Sequence, residues 1–223
     1  MEIADANIIY QLYTDLINSI KDHGREFGLS DTFWFFTFDA LYDAVMIRLC
    51  RIYDQAKKGI NLFNLLKTIR ANVLFFEKEH FRERLKDNPF VESLAKDDRI
   101  PDKGQLERDI LTASDQNPLV KKLILWRNNI IVHRSLKVSL GKNEILADKA
   151  LTQEEIKILL NECHAIFNRY SILYRASAWS KRCPGHSDYK SLLKFLNLGL
   201  QKWDEDRGEF QELKRKQAEQ DKP

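Results

Sequence analysis

Glycine and proline, the residues that most often interrupt regular secondary structure, are scarce in this chain, with 8 Gly and 5 Pro among 223 residues. Such a chain has few places for the tight turns that a sheet of many short strands needs. Its hydrophobic content of 43% is sufficient for a buried core. The scarcity of turn residues therefore predicts an all-α fold of long helices.

Apolar residues that recur at three- and four-residue steps predict where the helices lie, and capping residues mark their ends. The helix from Asp31 carries aromatic and aliphatic residues through Tyr53 and is expected to form the centre of the core. The segment 88–114 mixes proline, glycine and charges, which predicts an irregular excursion from the bundle. Another predicted helix runs from Asp5 as N-cap to near Gly24, and two peripheral ones cover 62–69 and 75–87. Three more are predicted later in the chain: one from Asn117-Pro118, one from the Thr152/Glu155 capping box to about Ala178, and one from about Ser187 through Trp203.

The length of the chain fits one compact body, and we predict a single helical domain over residues 1–210 with a polar, frayed tail over 211–223. The start of the chain has no leader of basic and then apolar residues, and no apolar stretch reaches the roughly 20 residues that cross a membrane. The three cysteines, an odd number, fit a reducing compartment. We therefore expect a cytoplasmic protein with no membrane partner. The formal charge of +3 is close to balance, so any basic site must be local.

One heptapeptide combines residues suited to acid–base and phosphate chemistry. It runs from Arg127 and Asn128 to His133 inside an apolar helical segment. An imidazole transfers protons near neutral pH, and a guanidinium binds phosphate oxygens in a bidentate fork. Together the two side chains supply the groups needed to cut a phosphodiester without a metal ion.

Arg127 and His133 do not share one face of a regular helix, because six residues turn it by about 600° and leave the side chains roughly 120° apart. Two alternatives bring them together. Either the helix loosens near His133, or two copies of the helix face each other across a two-fold axis, which predicts a homodimer. After His133, apolar residues alternate on both sides of Gly141-Lys142-Asn143, which predicts a small β-hairpin.

The pattern R-N-x-x-x-x-H on a late helix resembles the motif of the HEPN superfamily (higher eukaryotes and prokaryotes nucleotide-binding). Three segments are similar to its AbiU-type branch, which is linked to phage abortive infection: Ile47–Asp54, Asn61–Leu66 and Trp126–Arg134. The resemblance spans residues 32–173. It implies a HEPN-like helical bundle with extra peripheral helices that forms a homodimer around the motif helix. It also implies a metal-independent endoribonuclease, acting on RNA as a toxin or antiviral effector.

Carried to this chain, the resemblance assigns Arg127 to the scissile phosphate and His133 to general acid or base catalysis. Asn128 would orient the phosphate or the imidazole. Some HEPN toxins carry a tyrosine two residues after the histidine, where a partner enzyme modifies it, but this chain has Ser135 there. Silencing by that route is therefore not expected. An antitoxin or other regulatory protein stays among the expected partners, although the sequence identifies none.

Two further groups of charged residues are candidates for the same cleft. Arg48, Arg51 and Asp54 lie on the upstream helix, and Asp54 is expected to orient Arg127. The spacing of Arg51 and Asp54 fits a local ion pair equally well. Basic residues that would follow an RNA backbone by counterion release are Lys121, Lys122, Arg134 and Lys137.

Simpler explanations stand beside each of these assignments. Arg127, His133 and Arg134 are also what a helix C-terminus uses to complement its dipole, and a HEPN-like module that binds RNA, a nucleotide or a protein partner needs no catalysis. Cys163-His164 and Cys183-Pro184-Gly185-His186 lack the usual spacing of zinc ligands, so we expect no metal site, and no cofactor. The aromatic run over residues 33–38 is expected to serve packing rather than base stacking.

Overall fold

A computed structural model describes residues 2–128, 150–181, 185 and 187–220. All regular structure in these ranges is helical, which confirms the all-α fold class. The predicted β-hairpin lies outside the described residues. The helices are α1 Glu2–Ser19, α2 Gly24–Phe27, α3 Asp31–Ile52, α4 Leu62–Ala71, a 3-10 turn Val73–Phe76, α5 Lys78–Arg84, α6 Val91–Leu94, α7 Lys103–Ala113, α8 Pro118–Trp126, α9 Gln153–Arg175 and α10 Tyr189–Gln220. Among the described residues, no helix combines the length and apolarity that crossing a membrane requires.

The chain divides into two compact units. The first contains residues 1–7 and 43–181, and the second contains residues 8–42 and 182–223. A single domain over residues 1–210 stays a prediction.

The core of the first unit is built around the second half of α3. Val45, Met46, Leu49 and Tyr53 are buried there, which confirms α3 as a central core helix. Helix α9 packs against α5, α7 and α8, and α7 packs against α4. The largest buried side chains on these neighbours are Leu66, Phe81, Leu106, Leu123, Ile156, Leu159 and Leu160.

Two helix starts were predicted from their capping residues and are confirmed. The side chain of Asn117 accepts a hydrogen bond from the backbone N–H of Leu119 at 3.0 Å, with proline at the first helical position of α8. The side chain of Thr152 accepts from the N–H of Glu155, while the Glu155 carboxylate accepts from the N–H of Thr152. This capping box begins α9, which ends at Arg175, three residues before the predicted end at Ala178.

The predicted boundaries of the first helix are wrong at both ends. Helix α1 begins at Glu2, so Asp5 lies in its first turn and is not the N-cap. Acidic residues are favourable at the N-cap and in the first turn, because both positions lie at the positive end of the helix dipole. Sequence alone does not separate the two positions. The helix ends at Ser19, and Gly24 begins the separate short helix α2.

The segment 88–114 is also more regular than predicted. It contains α7, which Asp102 caps by accepting a hydrogen bond from the N–H of Gln105 at 2.7 Å. Leu106 and Ile110 are buried on its inner face. The neighbouring charges dilute this apolar stripe, which explains why the pattern was missed. For the same reason α4 was misplaced as peripheral, although its apolar stripe is buried; that stripe consists of Leu62, Leu66 and Ile69.

The second unit packs around Phe27, Trp34 and Leu193. Core or dimer packing was predicted for the aromatic run over residues 33–38. The core of the chain does not cover three of its members, for which a dimer contact stays a prediction. Phe33, Phe35 and Phe36 are 57%, 66% and 61% exposed. Consecutive aromatic residues point in different directions around a helix, and only one face meets the core. Helix α10 continues to Gln220, so its last residues are helical, and fraying of 211–223 stays a prediction.

Candidate active site

The short connection that follows α3 holds Asp54 in place. Tyr53, which is fully buried, donates a hydrogen bond from its hydroxyl to the carbonyl of Leu159 in α9 at 2.7 Å. The amide Nε2 of Gln55 donates to the carbonyls of Tyr53 and Ala113, at 2.8 and 3.0 Å. Asp54 lies between two residues that are anchored to other helices, so the backbone that carries its carboxylate is fixed.

Two asparagines stiffen the rest of this connection. Asn61 caps α4 by accepting a hydrogen bond from the N–H of Asn64 at 2.8 Å. Asn64 in turn donates from Nδ2 to the carbonyls of Ala56 and Gly59, both at 2.8 Å. Side chains thereby satisfy backbone carbonyls that no regular element would pair, which favours one conformation of the connection.

Helix α8 carries Arg127 toward this connection. Its buried stripe, Val120, Leu123 and Trp126, packs into the core of the first unit. On its outer side, Lys122 Nζ forms an ion pair with the carboxylate of Glu155 in α9 at 2.7 Å. The helix is thus fixed both by burial and by a polar contact just before Arg127.

Arg127 and Asn128 follow α8 in a π-helical turn. Turns of this kind are uncommon and often occur at functional sites. Arg127 Nη1 donates to Asp54 Oδ1 at 2.7 Å, and its Nε donates to Asn128 Oδ1 at 3.2 Å. The Arg127 and Asp54 side chains are 26% and 29% exposed. Two acceptors therefore fix the plane of a guanidinium that still reaches solvent.

A buried thiol lies close to this ion pair. Burial raises the pKa of Cys50 to about 12, Arg127 opposes the rise, and Asp54 adds to it. A thiol that stays protonated is a poor nucleophile. Cys50 is therefore a packing residue, and the chemistry available here belongs to Arg127 and the groups around it.

The structure places the predicted site residues in different surroundings. Asp54 pairs with Arg127, as expected, and the alternative local pair with Arg51 is wrong. Arg51 Nη1 instead donates to Glu2 Oε1 of α1 at 3.2 Å, and Arg48 Nε lies 3.9 Å from the same carboxylate. Arg48 and Arg51 are thus drawn together by Glu2.

The predicted basic residues are only partly described. Lys121 is exposed, whereas Lys122 is engaged by Glu155. His133, Arg134 and Lys137 lie outside the described residues, so their assignment stays a prediction.

Several residues that shape the site were not identified from the sequence. Glu2 pairs with an arginine 49 residues away, and no local pattern signals such a contact. Glu155 was recognised as part of a capping box, but its second role as partner of Lys122 was not. Tyr53 and Gln55 were the detectable ones, because polar side chains next to a buried helix end need hydrogen-bond partners.

Two cavities lie in the first unit. One, of about 360 Å³, is lined by Glu2, Arg51, Asn61 and His164 together with apolar residues. His164 Nε2 is 2.8 Å from the carbonyl of Trp179, and burial lowers its pKa. The other cavity, of about 520 Å³, is bordered by aromatic side chains; these are Phe75, Phe76, Phe167, Tyr170 and Tyr174. Among the described residues, no three His, Cys, Asp or Glu side chains cluster as metal ligands would.

Comparison with known proteins finds one protein family. The family model HEPN_AbiU2, described as AbiU2, matches residues 1–202 of this chain. No curated protein and no solved structure matches. The matched range includes Asp54, Arg127 and His133, and it ends inside α10.

Proposed function

We propose that this chain, which belongs to the AbiU2 family of HEPN domains, is an endoribonuclease that cleaves RNA without a metal ion. The observation that carries the proposal is the partly exposed Arg127 guanidinium, held by Asp54 at 2.7 Å. An arginine that served only to end a helix would not need a carboxylate from a distant part of the chain to fix its plane. A guanidinium with a fixed orientation is what the recognition of a phosphate requires.

In the proposed reaction, Arg127 binds a nonbridging oxygen of the scissile phosphate. It stabilises the additional negative charge that develops on the phosphorus oxygens in the transition state. Asp54 is a positioning residue, since it contacts Arg127 and not the reacting atoms. Asn128 contributes in the same way, by accepting from Arg127 Nε at 3.2 Å.

His133 would move the protons. A neutral imidazole takes the proton of the ribose 2′-hydroxyl while the 2′-oxygen attacks phosphorus. The bond from phosphorus to the 5′-oxygen breaks, and that oxygen receives a proton from an imidazolium. The products are a 2′,3′-cyclic phosphate and a free 5′-hydroxyl. Because attack needs the 2′-hydroxyl, DNA would not be cut.

A homodimer would complete the active site. Two copies of the motif helix around a two-fold axis would bring Arg127 of one copy near His133 of the other, as the separation on one helix requires. Exposed Lys121, with Arg134 and Lys137, would contact the RNA backbone. Membership of the AbiU2 family supports a role in abortive infection or a toxin–antitoxin system, with release of activity controlled by an antitoxin or other regulatory protein.

The test is cleavage of labelled RNA by the purified chain in EDTA. We expect products that end in a 2′,3′-cyclic phosphate, and we expect Arg127→Ala and His133→Ala each to lower the rate by about a hundredfold or more. Matched controls are Arg70→Ala, an arginine in an exposed pair with Glu107, and His80→Ala, an exposed histidine. Cleavage by His133→Ala at the wild-type rate would refute the proposal.

A second candidate is a HEPN-like module that binds RNA, a nucleotide or a protein partner without cutting. The aromatic-bordered cavity of about 520 Å³ favours it, since its volume is typical of small-molecule sites. The two functions separate in one experiment. A binding module holds RNA at low salt and yields no product, whereas the nuclease turns RNA over and loses turnover with Arg127→Ala.

A further inference from the structure

The last part of α10 is exposed along its length, although Asp204 near its start forms an ion pair with Arg25 of α2 at 2.8 Å. Earlier in the helix, Leu193 is buried and Leu196 packs against the core of the second unit. From residue 201 to residue 217 every side chain is exposed. Three large apolar residues are among them, with exposed fractions of 58% for Trp203, 58% for Phe210 and 59% for Leu213. The stretch lies almost wholly beyond residue 202, where the family match ends.

These apolar residues form one seam. Trp203, Asp206, Phe210, Leu213 and Gln217 follow one another at steps of three, four, three and four, which is the spacing of the inner positions of a coiled coil. The seam continues the face that Leu196 presents to the core, seven residues before Trp203. A helix with such a face buries it against another helix, since an isolated short helix gains little from its own hydrogen bonds.

The charges of the stretch identify the occupant as a second copy of the same helix in antiparallel orientation. Residues 204–212 are predominantly acidic, and residues 214–216 are all basic. Antiparallel pairing places the acidic part of one copy beside the basic part of the other. Parallel pairing would place Asp206 against Asp206 inside the seam, where two like charges repel each other, and Lys202 at 2.9 Å on the same helix offsets only part of this repulsion.

We propose that residues 203–217 pair with the same residues of a second copy as a short antiparallel coiled coil. Phe210 then lies opposite Leu213 of the second copy, and Asp206 lies opposite Gln217. This register places Glu209 of each copy beside Lys216 of the other, so the pair forms twice.

The same register brings Arg207 of each copy beside Lys214 of the other at the opposite edge of the seam, where their like charges repel. Their cationic ends lie over the rings of Trp203 and Phe210 on their own helix, 5.9 and 4.8 Å from the ring centres. The aliphatic parts of both side chains thereby shield the seam. The direction of pairing is thus decided by Glu209, Lys216 and Asp206.

Sedimentation equilibrium of the full chain tests the seam. We expect Phe210→Glu to weaken self-association at least tenfold, because it puts a charge into the seam without disturbing either core. Phe195→Glu is the matched control: Phe195 is on the same helix and is 70% exposed, but it lies outside the stretch. It should associate like the wild type. Unchanged association of Phe210→Glu would overturn the proposal, even if the chain still dimerised around the motif helix.

A charge exchange tests the direction of pairing. Glu209→Lys places two lysines together, Lys216→Glu places two glutamates together, and each should weaken association. An equimolar mixture of the two variants should restore it, because each Lys then faces a Glu in the other copy. The chain that carries both changes should also associate like the wild type. Single variants without effect, or a mixture without recovery, would overturn antiparallel pairing.

Discussion

Two ion pairs between an aspartate and an arginine join distant segments of the first unit, and their surroundings differ. Asp109 in α7 pairs with Arg169 in α9 and is 6% exposed. Its carboxylate also accepts from Tyr170 Oη at 2.7 Å and from Gln105 Nε2 at 2.8 Å. In the pair of Asp54 with Arg127, by contrast, both side chains are more than a quarter exposed.

The difference separates a structural ion pair from a candidate site. The carboxylate of Asp109 is buried and satisfied on every side by the protein, so it has no capacity left for a ligand. The guanidinium of Arg127 is equally well oriented but faces solvent. The Arg169 guanidinium is itself 38% exposed, so what distinguishes the Arg127 pair is that its carboxylate, Asp54, is open to solvent as well.

The two ion pairs are expected to differ most in how much each contributes to the stability of the fold. Asp109→Ala should lower the free energy of unfolding by about 3 kcal/mol, because it leaves the buried Tyr170 hydroxyl without its acceptor and Arg169 without its counterion. Asp54→Ala should cost less than about 1 kcal/mol, as is usual for pairs that water screens. Urea denaturation followed by circular dichroism measures both. Equal losses of unfolding free energy in the two variants would show that the two ion pairs contribute equally to stability.

For RNA cleavage we expect the opposite order, with a larger effect from the loss of Asp54 than from the loss of Asp109. Asp54→Ala should lower kcat for RNA cleavage at least tenfold, which corresponds to about 1.4 kcal/mol of transition-state stabilisation. Asp109→Ala should keep its activity at temperatures where it remains folded. Because Asp54 acts by positioning Arg127, KM should change less than kcat, and Asp54→Glu should restore part of the rate. A variant that lost activity only in proportion to its unfolded fraction would contradict this role.

Local patterns in the sequence predicted the features that local physics decides. The cap at Asn117, the capping box at Thr152 and the apolar face of α3 each depend on residues within a turn or two. Helix α7 was missed because its buried face is short and one of its buried side chains is charged Asp109. That aspartate can be buried only because Arg169 neutralises it from 60 residues away, and such a contact has no local signature.

In the candidate site, too, the contacts between distant residues could not be predicted from local patterns. The sequence left two partners open for Asp54, Arg127 in the candidate cleft and Arg51 three residues before it. The structure decided between them through Glu2, which pairs with Arg51. Predicting that contact would have required knowing that the start of α1 lies beside the end of α3.

The reactivity of the cysteine thiols offers a smaller and more local measure of the difference between the two aspartate–arginine pairs. Burial raises the pKa values of Cys50 and Cys163 to about 12, so both should react slowly with iodoacetamide in the folded protein. In Asp54→Ala the rate at Cys50 should rise severalfold, because a carboxylate that raises its pKa is gone while Arg127 remains. Cys163 should be unaffected and serves as the internal control. Peptide mass mapping of the alkylated protein measures both rates.

Alkylation also distinguishes the two ion pairs. In Asp109→Ala, both cysteines should react faster, since lower global stability exposes the whole core more often. Faster reaction of both cysteines in Asp54→Ala would mean that this pair, too, supports the fold as a whole.

The smallest effect is expected from the loss of the ion pair between Lys122 and Glu155. These side chains are exposed to a similar degree as those of Asp54 and Arg127. Hydrogen bonds from Lys122 and from the Thr152 N–H lower the pKa of Glu155 below its ordinary value of 4.5. The folded state therefore favours the carboxylate, so its stabilisation is present above pH 4.5 and is lost as the pH falls below that value. Glu155→Gln should cost about 1 kcal/mol near neutral pH and less at about pH 3.

Glu154→Gln is the matched control, since its carboxylate is 71% exposed and should contribute little at either pH. Urea denaturation at the two pH values gives the stability, and RNA cleavage gives the functional comparison. Because Glu155 contacts Lys122 and caps α9, we expect its loss to leave cleavage within about twofold of the wild type, after correction for the unfolded fraction. If Glu155→Gln lowered cleavage as much as Asp54→Ala, partial exposure would no longer distinguish the pair at Arg127. The proposed phosphate-binding cleft would then have to include Lys122 as well.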